Sequence, residues 1–94
     1  MILVDPPTWP GWGRVWSHLV SDSSLEELHA FAEGVGIPRK LFDEDHYDVP
    51  IERYDEVVAA GASEVSGSEL IRRLIRSGLR ITQAQRDGRS PDAG

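Results

Sequence analysis

The sequence predicts an α/β domain: a small, mostly parallel sheet of about four short strands with three helices packed on it. Three observations carry that prediction. Short β-type runs alternate with helical stripes from residue 15 onward, each stripe opens on a helix-start signal, and each closes near a glycine. An α+β topology in which the first two strands run antiparallel is the alternative. A chain of 94 residues suits one domain with a single core.

Taken in order, Ile2, Leu3 and Val4 form an apolar run ended by Asp5-Pro6-Pro7, which reads as a buried strand entering a loop. That loop, residues 8–13, holds Trp9, Pro10, Gly11, Trp12 and Gly13. Residues 15–20 read as a second strand, with Trp16, His18 and Val20 on one face and Val15, Ser17 and Leu19 on the other. Two overlapping capping boxes follow, Ser23 with Glu26 and Ser24 with Glu27, so a helix is expected over residues 24–34. Leu25, Leu28 and Ala32 make its stripe, His29 falls on that stripe, and Gly34 or Gly36 offers a left-handed cap. Residues 37–45 form a connection with room for one helical turn, and residues 46–49 read as a short strand.

Pro50 suits the first position of a second helix over residues 50–60, with Ile51, Tyr54 and Val58 as its stripe and Gly61 at its end. Residues 62–65 read as a further strand. Ser66 with Glu69 then caps a third helix over residues 67–78, which carries Leu70, Ile71 and Leu74. One domain over residues 1–81 is expected, followed by a disordered tail over 82–94 that lacks an apolar stripe and is rich in Gly, Ser, Asp and Gln.

The net charge of −6 divides unevenly: residues 1–64 hold 13 acidic against 4 basic side chains, and residues 65–94 hold 3 against 6. An acidic body argues against general nucleic-acid binding, because Lys and Arg supply most of the non-specific attraction to phosphates. The absence of cysteine removes disulfides, thiolate metal sites and cysteine nucleophiles, and suits a cytoplasmic setting. The opening residues have no basic n-region and too short an apolar run for a signal peptide or a membrane span. No membrane partner is expected, and oligomeric state is not encoded in any feature of the sequence.

The most informative local feature is His46-Tyr47-Asp48, because residues two apart in an extended segment point to the same side. His18 lies on the inward face of a neighbouring strand, so His46, Asp48 and His18 are the candidate catalytic or metal-ligating set, with a divalent ion as the candidate cofactor. His29 would join them if the first helix covered both strands. The competing reading makes His29 a core histidine and Asp48 a cap for the second helix. A His-x-Asp pair with a distant His is also the ligand set of a facial two-histidine, one-carboxylate site. Here, however, the third ligand precedes the pair, and the chain is too short for the usual double-stranded barrel. Asp5 is a further carboxylate partner, Trp12 a stacking contact for ligand, and Arg14 a grip for an anion. No Gly-x-Ser-x-Gly elbow and no Gly-Lys-Ser/Thr phosphate loop occurs.

Several separated strings carry a resemblance: Val4-Asp5-Pro6, Trp9, Arg14 through Asp22 (RVWSHLVSD), Glu27 through Ala32 (ELHAFA) and His46-Tyr47-Asp48-Val49. Over about residues 2–75 the chain resembles a family of short bacterial and phage proteins known as a domain of unknown function. The resemblance implies no activity; it implies that Asp5, Trp16, His18, Asp22, His29, His46 and Asp48 belong to a shared pattern. The residues themselves lead to an expected small cytoplasmic protein whose His/Asp pocket binds a small anionic or nucleotide-like ligand; whether it is an enzyme is left open, and if it is one, metal-assisted hydrolysis or phosphoester cleavage is the chemistry the residues favour. The rival expectation is a non-catalytic interaction module of phage or mobile-element origin.

Overall fold

The computed structural model describes residues 1–80, so the expected tail at 82–94 lies outside the described residues. The chain forms β1 (Ile2–Val4), β2 (Trp9–Gly11), β3 (Arg14–Ser21), α1 (Leu25–Val35), β4 (Phe42–Asp43), β5 (His46–Pro50), α2 (Tyr54–Ala59), β6 (Ser63–Glu64) and α3 (Gly67–Ser77). Short 3-10 turns at Arg39–Leu41 and Ile51–Arg53 lead into β4 and α2. The six strands make one mixed sheet in the order β4-β5-β3-β1-β6, with β2 also paired to β3.

The long strand β3 organises the sheet. Along one edge it pairs antiparallel with β1 and β2, two pieces of extended chain separated by the Asp5-Pro6-Pro7-Thr8 excursion. Along the other edge it pairs antiparallel with β5. Among the described residues, β1 with β6 is the parallel pairing and the other four are antiparallel. The expectation of a mostly parallel sheet is therefore corrected to a mixed α+β arrangement with the first strand antiparallel to the long one. Strand β3 runs antiparallel to both β1 and β5, and two tight reversals add further antiparallel pairs: Trp12-Gly13 folds β2 onto β3, and Glu44-Asp45 folds β4 onto β5. A parallel pair would need a long crossover at each of those places.

Helix starts follow the capping chemistry. The Ser24 hydroxyl accepts from the Glu27 N–H and the Ser66 hydroxyl from the Glu69 N–H, while Gly36 and Gly78 close α1 and α3 in left-handed conformations. Pro50 ends β5 rather than opening α2, because a 3-10 turn intervenes.

Strand alternation gives the sheet two faces. On one face Ile2, Val4, Leu19, Tyr47 and Val49 pack with Leu28 and Ala32 of α1 and Val57 of α2. On the other, Leu3 and Val20 pack with Leu70 and Leu74 of α3. That second apolar cluster is small, and the remainder of its face carries His18, His46 and Asp48. No described helix is long and apolar enough to cross a membrane.

Candidate metal and ligand site

Register creates the site. Antiparallel pairing sets His18 directly opposite Asp48, and His46 lies two residues away on the same face. One ligand atom from each of His18, His46 and Asp48 falls within 4.8 Å of the others. Asp43 sits opposite His46 across the β4 and β5 pair, so a further carboxylate borders the group.

Each imidazole is steered by a buried carboxylate. Asp5, just past the end of β1, accepts at Oδ1 from the His18 backbone N–H at 2.6 Å. Its Oδ2 lies 2.9 Å from His18 Nδ1 and accepts from Trp9 Nε1 at 3.1 Å. Asp45, with no solvent exposure, holds His46 Nδ1 at 2.7 Å, and the Arg80 guanidinium approaches its other oxygen at 3.7 Å. An Nδ1–H donated to a carboxylate leaves the Nε2 lone pair of a neutral imidazole for a metal, the arrangement in which ligating histidines are usually found. The two rings meet edge to face with centroids 5.0 Å apart.

Without a metal, His46 is held as a cation. Burial by itself would lower its pKa, but hydrogen bonds to Asp45 and Asp48, reinforced by their negative charge, raise it from 6.5 to about 9. Its Nε2 lies 3.2 Å from Asp48 Oδ1. A proton thus lies between two groups that could both serve as ligands to a divalent cation.

A cleft of about 540 Å³ opens beside this cluster, with His18 and Asp48 in its wall together with Trp9, Trp12, Trp16 and Lys40. A second, more apolar hollow of about 380 Å³ borders His46 and His18 and runs under Leu70, Ile71 and Leu74 to Arg80. Trp9 lines both and packs edge-on against His18 with centroids 4.7 Å apart. Trp12 stands at the tip of the β2–β3 hairpin, 95% exposed, with φ 53° followed by Gly13 at φ 76°. Two successive positive φ values are those of a type I′ turn, in which a non-glycine residue costs on the order of 1–2 kcal/mol in backbone strain.

Of the residues singled out in the sequence, His18, His46 and Asp48 meet, Asp5 supports His18, and Trp12 forms the rim of the cleft. Arg14 does not join them. Its guanidinium pairs with Glu52 at 3.0 Å and lies over the Trp16 ring, 5.7 Å from its centroid. His29 stays apart as well, because α1 packs on the opposite face of the sheet. There its Nδ1 lies 2.7 Å from the Tyr47 hydroxyl and its ring packs against Phe42, while burial, and to a lesser extent Arg39, lowers its pKa. Asp48 caps no helix, since the turn after β5 has no side-chain cap. Lys40 and Arg80 enter the surroundings of the site without a local sequence signal, whereas Trp9 is signalled by its place in the Gly/Pro-rich loop and the second buried carboxylate, Asp45, by its adjacency to His46.

Comparison with curated proteins and with solved structures gives no match to this chain. Residues 2–77 match the family described as "Protein of unknown function (DUF4031)", a span that includes every residue of the His/Asp cluster and of both supporting carboxylates, and the chain belongs to that family.

Proposed function

We propose that His18, His46 and Asp48 bind one divalent transition-metal ion, and that the ion holds a small anionic ligand of the phosphoester class in the adjoining cleft for hydrolysis. The observation that carries this reading is the pairing of two imidazoles with two separate buried carboxylates at Nδ1, beside a third carboxylate placed within ligand distance of both. Three protein ligands leave coordination positions for water and for a substrate oxygen. A metal ion held there by His18, His46 and Asp48 would supply an acidified water and Lewis-acid stabilisation of phosphoryl charge. The water oxygen would form the new bond to phosphorus, the ester P–O bond would break, and the water's proton would leave with the alkoxide. Asp5 and Asp45 would keep the imidazoles aligned, each holding Nδ1 so that Nε2 faces the ion.

Titrating zinc, manganese and ferrous iron into metal-free protein by calorimetry tests the metal site. The wild type is expected to take up one ion per chain, and His46→Ala and His18→Ala to weaken that uptake roughly 100-fold or more, since each removes a direct ligand. His29→Ala should leave uptake unchanged and lower thermal stability instead. Hydrolysis of bis(4-nitrophenyl) phosphate by the loaded wild type, lost in Asp48→Asn, would support the catalytic part. Should the wild type bind none of the three ions, the metal reading fails. The interaction-module reading, which the exposed Trp12 and the half-exposed Trp9 favour, would then replace it.

A further inference from the structure

We infer that the ligand of the cleft is a mononucleotide, its base stacked on Trp12 and its phosphate directed to the metal cluster and Lys40. The inference rests on the proposed anion site and adds the identity of the other end of the ligand.

Three observations converge on it. First, Trp12 presents nearly all of its indole to solvent from a positive-φ position, where glycine, asparagine or aspartate would form the same turn at lower cost. The fold gains no packing from that side chain. A large rigid aromatic face displayed at a strained hairpin tip is suited to stacking a flat ring. Second, the same cleft that Trp12 borders reaches His18 and Asp48, so one molecule can touch both the indole and the proposed metal. Third, among the described residues Lys40 is the one Lys or Arg that lines the cleft, and Asp43 and Asp48 line it too, which suits one phosphate on a cation rather than a polyanionic strand. The acidic body points the same way: residues 1–64 carry 13 acidic against 4 basic side chains, a poor surface for a long nucleic acid.

The test uses the full chain with and without manganese, and compares adenosine 5′-monophosphate, adenosine, inorganic phosphate and a ten-residue oligothymidylate by calorimetry and tryptophan fluorescence. With manganese, the monophosphate is expected to bind roughly tenfold or more tighter than inorganic phosphate, as one stacked base allows. Trp12→Ala should remove that advantage and leave phosphate binding unchanged. Without manganese, adenosine at high concentration should still quench wild-type fluorescence and fail to quench the Trp12→Ala variant.

If phosphate binds the loaded protein but the monophosphate binds no better, or Trp12→Ala keeps the advantage, the nucleotide assignment is overturned and the anion site stands. If neither phosphate nor the monophosphate binds although the metal does, the anion reading falls and this inference with it. An oligothymidylate that binds tenfold tighter than the monophosphate overturns the mononucleotide in favour of single-stranded nucleic acid. Thermal unfolding of Trp12→Ala, expected to be unchanged because alanine keeps the same positive-φ backbone cost and the exposed indole packs on nothing, guards against a folding defect.

Discussion

Raising the pH from 6 to 9.5 is expected to remove about 3 kcal/mol of stability from the metal-free protein through His46 alone. In the unfolded chain this imidazole gives up its proton near 6.5, and in the folded one near 9. Below 6.5 both states are protonated and the attraction to Asp45 and Asp48 is fully present. Between the two values folding takes up a proton, so stability declines as the pH rises. Above 9 neither state holds the proton and the contribution is gone. The side chain is 14% exposed, so solvent screens this pair weakly. Urea unfolding across this pH range measures the effect. A markedly shallower profile in His46→Gln than in wild type assigns it to this residue, the Met1 amino group with its partners Glu27 and Asp22 still contributing in both; equal slopes in both would refute the assignment. Saturating zinc should abolish the His46 part of the decline, because the ion replaces the proton.

Asp5→Ala is expected to cost about 3–5 kcal/mol, a large part of the ~5–15 kcal/mol available to a domain of this size. One buried carboxylate accepts the backbone N–H of His18, lies against its ring nitrogen and accepts the indole N–H of Trp9. Removing it leaves a backbone amide of the interior strand β3 and an indole without their acceptor at once, and frees the His18 ring to rotate. Asp5→Asn, which keeps one acceptor oxygen, should recover part of the loss while leaving metal uptake impaired. Urea midpoints for the two variants provide the comparison. A loss below ~1 kcal/mol in Asp5→Ala would show that the three bonds are replaced by water.

What the sequence revealed of the site was parity, and what it concealed was register. The two-residue spacing of His46 and Asp48, and the shared face of Trp16, His18 and Val20, follow from strand alternation alone. That His18 would stand opposite Asp48 depends on how β3 slides along β5, which no local feature states. Strand β2 was hidden because Pro10 and Gly11 read as loop, yet a strand with one free edge tolerates a proline. The Trp12-Gly13 reversal was hidden because tryptophan is not a turn residue. Arg14 shares the parity of His18 but sits at the start of β3, where Glu52 reaches it first. His29 was correctly placed on a helix stripe, whereas the face of the sheet that helix would cover was not legible. The serines that cap α1 and α3 were legible because their hydrogen bonds are local.

The parallel contact of β1 with β6 joins residues sixty positions apart, Leu3 with Ser63, whereas the turns at Trp12-Gly13 and Glu44-Asp45 join near neighbours. Closing the larger loop costs on the order of 2 kcal/mol more than closing a turn of a few residues, before any side chain is buried. An order in time is therefore expected. The hairpins and the β3–β5 ladder, with His18, His46 and Asp48 on them, should come together early, and α3 with its apolar wall should arrive last. Kinetically, Leu74→Ala is expected to speed unfolding with little change in the folding rate, and Val49→Ala to slow folding; the reverse pattern in stopped-flow measurements would invert that order.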